Sequence, residues 1–202
     1  MLFMNAIPLD LRKWFGSLPE SVAALYSGAF KNSDAALLNK ALDDLIVANF
    51  TLWGLEDEAR RKDLPDKKIA DLKRNIDKYN QRRNDLIDRV DAILEKDIGS
   101  SIGNIDKSLP LNTETPGSVF DRLTVLSLRI HNLKKEISRK DASIPHKNRC
   151  VGMLKEVESR ACDLLKCMEA LLNDYYTGRK RLKSYKQHKL YNDPALNPSL
   201  RK

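Results

Sequence analysis

Several polar residues sit where a helical protein should place leucine. Leu38, Leu42, Leu45 and Leu52 repeat at helical spacing. Asn49, Glu56 and Arg60 fall within ~40° of Leu38 on the same helical wheel, with Trp53 beside them. Downstream, Arg83 lies near the middle of a stripe of Leu72, Ile76, Leu86, Val90 and Leu94, with Asn80 at its edge. Asp121 is in line with Val125 and Leu128. A buried charge without a partner costs several kcal/mol, so these groups must meet each other or a ligand. Amides, guanidinium groups and a carboxylate brought together in an apolar setting suit a small anionic compound such as a sugar phosphate or a nucleotide. The same residues equally suit a polar network that only fixes helix register.

Thr115-Pro116-Gly117-Ser118 carries a second chemical signal: a cap residue, proline at the first helical position and small neighbours. Free backbone N–H groups there suit a phosphate or carboxylate, and plain capping explains the same residues. Catalytic and metal templates find less support. No Glu-x-x-His pair exists for a di-iron bundle, and no metal site is expected. His131 reads as a packed histidine beside Ser127 and Phe120. Asp85, Asp88 and Asp91, with Glu56 and Asp57, resemble the carboxylate spacing of all-α magnesium-dependent nucleotide pyrophosphatases. Against that, Asp85 and Asp88 point away from the apolar face, and Arg60 stands where such a site would want another acid.

Four long helices must position these groups, predicted over 34–61, 66–97, 116–140 and 146–184. Asn32-Ser33-Asp34 caps the first, and Leu64-Pro65-Asp66 separates it from the second. A Gly/Ser/Asn loop over 99–112 leads to the third, and Pro145 opens the fourth. The third repeats Val119, Leu123, Leu126, Ile130, Leu133 and Ile137, and a second apolar row makes it the most buried of the four. Short connections between the first and second pair imply antiparallel neighbours. Counting from the shared turns at 1.5 Å per residue puts Asn49, Asn80, Arg83 and Asp121 in one layer about 8 Å thick, which pairs Arg83 with Asp121. Glu56 and Arg60 lie above it at the i, i+4 spacing of an ion pair. The expected fold is all-α: an up-down bundle of four long helices, with short N-terminal helices and a C-terminal arm packed on it. Its parts are 1–32 (short helices around 11–15 and 20–30), 33–184 (the bundle) and 185–202 (the arm), together one helical domain over 1–202.

Composition narrows the class. The chain has 202 residues, 42% hydrophobic and 32% charged, with 8 Gly and 8 Pro, which excludes disordered and collagen-like classes. No stretch reaches the roughly 18 apolar residues of a membrane span. The apolar start, Met1-Leu2-Phe3-Met4, lacks a basic leader, so no secretory signal is expected. Cys150, Cys162 and Cys167 form no CxxC pair and read as reduced thiols, with cytoplasm the default compartment. The net charge of +8 is concentrated: from Arg179 onward eight basic residues face the single acid Asp193, which leaves +1 for everything before. No nucleic-acid-reading motif accompanies that charge, so nucleic acid is not the expected partner. Leu190, Leu196 and Leu200 among turn formers instead suggest that 185–200 folds back on the bundle with Leu196 at least partly buried.

At these residues the sequence resembles a bacterial family, domain-of-unknown-function family 4254. The resemblance runs through Ala48-Asn49-Phe50 to Trp53-Gly54-Leu55-Glu56-Asp57-Glu58-Ala59-Arg60, and through Asn80-Gln81-Arg82-Arg83-Asn84-Asp85. It continues with Asn112-Thr113-Glu114-Thr115-Pro116-Gly117-Ser118 to Asp121-Arg122-Leu123, then Tyr191-Asn192-Asp193-Pro194 to Asn197-Pro198. Where such proteins often show His beside the tryptophan, this chain has Gly54. The resemblance implies no activity, and it implies that the Asn-Asp-Pro segment belongs to the folded unit. Two classes stay open. One is a binding or catalytic site built from Asn49, Trp53, Glu56, Arg60, Asn80, Arg83, Thr115, Gly117, Ser118 and Asp121. The other is a helical interaction module, with a protein partner or a second copy, whose polar core is structural. The sequence assigns no cofactor and does not say whether the chain is an enzyme.

Overall fold

The computed structural model describes residues 9–30, 37–185 and 194–201. Five α-helices account for the described fold: α1 (Leu11–Ser27), α2 (Leu37–Ala59), α3 (Asp66–Ile102), α4 (Pro116–Ser138) and α5 (Ile144–Tyr176). The α2–α3 and α4–α5 pairs are antiparallel hairpins, and α4 packs against all four other helices. Its centrality follows from its sequence: Val119, Leu123 and Leu126 form one row and Phe120 and Leu128 a second, all buried. One continuous core joins residues of α1, α2, α3, α4 and α5, and a smaller cluster of Leu18, Val22, Ile46 and Leu128 sits beneath α1. No helix among the described residues is long and apolar enough to cross a membrane.

Helix ends follow local chemistry, and three of them depart from expectation. In place of two short N-terminal helices there is one, α1, running through Pro19. An interior proline costs about 3 kcal/mol. Leu18 and Val22, flanking it, are buried against α2 and α4, and Trp14 packs edge-on against Phe120 with ring centroids 4.9 Å apart. That packing offsets the broken hydrogen bond, as tertiary burial does for most helices. The second helix, α3, runs through Gly99 to Ile102 instead of stopping near Asp97. Ile98 is buried, Ile102 packs on the core, and Gly103 ends the helix at φ +73°. The cap signal at 32–34 lies outside the described residues.

The fourth helix is the largest correction. α5 stops at Tyr176 rather than continuing to 184, because Gly178 adopts a left-handed φ of +68° and turns the chain. The N–H groups of Arg179 and Lys180 donate to the Asp174 carbonyl at 2.9 and 3.2 Å, and their side chains bridge its carboxylate at 2.8 and 3.1 Å. The following extended strap is pinned on both sides. Arg181 donates its N–H to the Pro110 carbonyl and its Nε to the Leu109 carbonyl, both at 3.2 Å, and Ser184 Oγ donates to Glu95 Oε2 at 2.6 Å. Leu182 is the buried anchor of this strap, whereas Leu196 is 53% exposed. Leu196 is therefore not the anchor expected for the arm. The turn comes about two helical turns earlier than the apolar stripe suggests, and the leucine it brings to the core is Leu182. Positions 186–193 lie outside the described residues.

Candidate functional site

The polar layer forms where α2, α3 and α4 meet. Asn49 of α2 is 3% exposed and donates both amide hydrogens to α4, to Asp121 Oδ1 at 2.9 Å and Thr124 Oγ1 at 2.7 Å. Thr124 passes its own hydroxyl hydrogen to the Asp121 carbonyl at 2.8 Å. From α3, Arg83 brings its Nε to 3.7 Å from Asp121 Oδ1. That is an ion pair but too long for a hydrogen bond, so among the described residues the buried Nε of Arg83 has no hydrogen-bond acceptor. Equal height along antiparallel helices predicts this convergence, and the structure shows it for Asn49, Arg83 and Asp121, whereas Asn80, expected in the same layer, lines the cleft above it.

Above the layer the helices part and leave a cleft of about 430 Å³. Trp53, Glu56, Asp57 and Arg60 of α2 line it with Asn80 and Arg83 of α3 and Arg129 of α4, over a floor that includes Leu52, Val125 and Leu128. Arg60 bridges Glu56 at 3.4 Å and Asp57 at 3.8 Å. Glu56 and Arg60 therefore lie on the apolar stripe of α2 yet stay well exposed, because α4 does not cover this length of it. The cleft presents three guanidinium groups against two carboxylates, with one aromatic ring and two amides.

Thr115, Gly117 and Ser118 do not line this cleft. They form a separate centre in which Gly117 N–H donates to Asp91 Oδ1 at 2.6 Å, and Thr115 Oγ1 accepts from Ser118 N–H at 3.4 Å. A Cβ on Gly117 would stand 2.5 Å from the Ile87 carbonyl oxygen and 3.0 Å from Asp91 Cγ, so only glycine allows α3 and α4 to come this close. The anion slot at the start of α4 is thus filled by the chain's own carboxylate. Asp91 is 3% exposed, and burial pushes its carboxyl up to about 6 against the lowering effect of Thr115 and Gly117, with Asp88 and Glu95 adding to the rise. In the sequence Asp91 stands out only as one of several spaced acids. Its signal was the row Ile87, Asp91, Leu94 and Ile98, at helical spacing on the buried face.

The carboxylates of α3 do not gather with those of α2. Asp85 is exposed and accepts from Gln81 at 2.7 Å, while Asp91 faces α4. Among the described residues no three His, Cys, Asp or Glu side chains are placed to hold a metal ion. His131 stacks on the Tyr26 ring, with centroids 4.5 Å apart and planes 7° from parallel, and burial followed by the Lys135 charge lowers its pKa.

Comparison with known proteins ties these features to a family. The family model described as a protein of unknown function (DUF4254) matches residues 39–184. The chain belongs to this family. No curated protein and no solved structure matches it. The DUF4254 match takes in the cleft residues, Asp91, Gly117 and the strap through Ser184. It leaves out α1 and stops before the Tyr191–Pro198 stretch, of which 191–193 also lie outside the described residues.

Proposed function

We propose that the cleft between α2, α3 and α4 binds a small anionic ligand of the sugar phosphate or nucleotide class. The observation that carries this reading is Arg83: a guanidinium lining the cleft whose buried Nε lacks an acceptor among the described residues, where an unmade hydrogen bond is expensive. The Arg83 side chain is a third exposed, and a turn of its guanidinium would carry that Nε to a phosphate oxygen in the cleft, in a charge-assisted, fork-shaped contact. Arg60 and Arg129 stand on the walls to meet further anionic oxygens, and Trp53 offers a flat apolar surface to a ring. A thermal-shift series with inorganic phosphate, a hexose phosphate and a nucleoside monophosphate tests it. At least one should raise the melting temperature of the natural chain and fail to do so for Arg83→Met. No shift with any of the three defeats the reading.

The Asn49–Asp121–Thr124 cluster favours a second reading, since every polar group of Asn49 that faces α4 is already used. On that view the layer fixes register and the chain is a helical interaction module. The two readings part at Arg83, which the register role does not need. Under either, residues 1–202 act as one unit. The charge of the C-terminal segment is partly committed inside the protein, at the Asp174 carboxylate and the Leu109 carbonyl, which argues against a nucleic-acid arm.

A further inference from the structure

A second cavity, unrelated to the polar layer, lies between α1, α4 and α5. It has a volume of about 570 Å³, within the roughly 300–1,000 Å³ range of small-molecule sites. Phe15 of α1, Ile130 of α4, and Ala161 and Leu165 of α5 make its walls apolar. Ser127, which also faces it, donates its hydroxyl to the Leu123 carbonyl at 3.1 Å and so adds no unmet polar group. Charge is confined to one end. There Lys134 is bridged to Glu158 at 3.1 Å, the sole acid lining the cavity among the described residues. Lys135 has no ion pair among the described residues; its ammonium lies 5.8 Å from the centre of the Tyr26 ring.

We propose that this cavity is a binding site for a small amphipathic anion, an apolar chain or ring carrying one carboxylate. The apolar part occupies the space between Phe15, Ile130 and Leu165, and the carboxylate meets Lys135, which no acid pairs among the described residues. Two observations support the polarity of this placement. The lining cations outnumber the lining acid by one, and a ligand anion restores the balance. His131 beside Lys135 is held toward its neutral form by burial and by that lysine, so it can donate a hydrogen bond to a carboxylate without competing for the charge. A cationic or uncharged amphiphile would leave the lysine unmatched.

Cys162 lines this cavity and is exposed, which makes it a reporter. In a Cys167→Ser protein, maleimide labelling of Cys162 is followed with octanoate, octanol or octyltrimethylammonium below their micelle concentrations. Octanoate is expected to slow labelling about tenfold at ten times its Kd, with octanol and octyltrimethylammonium much weaker at equal concentration. Lys135→Gln should erase the preference for octanoate over octanol, each rate being compared with that of the same variant without ligand. In a Cys162→Ser protein, labelling of Cys167, which faces the opposite groove of α5, should be indifferent to octanoate. The proposal is overturned by no protection by octanoate, by equal protection by octanol, by equal protection of Cys167, or by an octanoate preference that survives in Lys135→Gln. Protection that appears without ligand and grows with protein concentration would instead identify a second copy of the chain as the occupant, and also overturns it.

Discussion

The backbone N–H of Gly117 meets the buried carboxylate of Asp91 at 2.6 Å, joining the first turn of α4 to the middle of α3. A helix start needs acceptors for its free N–H groups and favours negative charge. Here a neighbouring helix supplies both, at a place too close-packed for any side chain on residue 117. The contact replaces an external anion at this turn, and it makes the stability of the bundle depend on the charge of one carboxyl.

That dependence has a definite sign. With its pKa raised from the ordinary range to about 6, Asp91 holds a proton more tightly in the folded chain than in the unfolded one. Its contribution is therefore fully favourable below about pH 4 and is lost as pH rises through about 6, a difference of about 3 kcal/mol. Asp91→Asn keeps an acceptor for Gly117 and carries no charge. Urea titrations at a series of pH values should show its stability relative to the natural chain rising between these limits. A difference that stays flat across the window would contradict the assignment.

Glycines on two helices should respond in opposite directions. Gly117→Ala forces α3 and α4 apart at the Ile87 carbonyl and should destabilise by about 2–4 kcal/mol, despite alanine's better helix propensity. Gly152 in α5 has open space where its Cβ would go, so Gly152→Ala should stabilise by about 0.5–1 kcal/mol. Thermal melts of the two variants suffice, and equal shifts of the same sign would refute the close-approach account.

Within the polar layer, loss of Asp121 should be worse than loss of Arg83. Asp121→Ala strands an amide hydrogen of buried Asn49 and leaves the guanidinium facing a void, a loss of about 2–4 kcal/mol. Arg83→Met fills the same space, and its ion pair is long and a third exposed, so about 1 kcal/mol or less is expected. Denaturant midpoints for both variants at unchanged slope measure the contrast.

The strap predicts a similar contrast between two leucines. Leu182→Ala empties a buried position and should cost about 2–3 kcal/mol, whereas Leu196→Ala should stay within about 0.5 kcal/mol. If Leu196→Ala proved the more damaging of the two, the anchor of the C-terminal segment would have to be reassigned.

Periodicity and turn chemistry were enough to place the four long helices, their breaks at Pro65, Pro116 and Pro145, and the shared height of Asn49, Arg83 and Asp121. These properties follow from spacing along one helix and from counting along antiparallel pairs, so they are written in the chain itself. The end of α5 was also legible, in Gly178, but a continuing apolar stripe masked it: Leu182 falls on the stripe of a helical extension and is buried in the strap that forms instead.

What sequence alone could not decide was which length of each apolar face would find a neighbour. α3 has 37 residues against 23 in α2 and in α4, so part of every stripe must project past its partners. Glu56 and Arg60 share the wheel position of Leu38 yet stand in an open cleft, while Asp91 looks like one of several acids and is buried. α1 likewise runs through Pro19 only because Leu18 and Val22 find the α2–α4 surface. A helical wheel gives direction around an axis. Burial also depends on position along it, and on how closely the next helix can approach, which only the packed bundle sets.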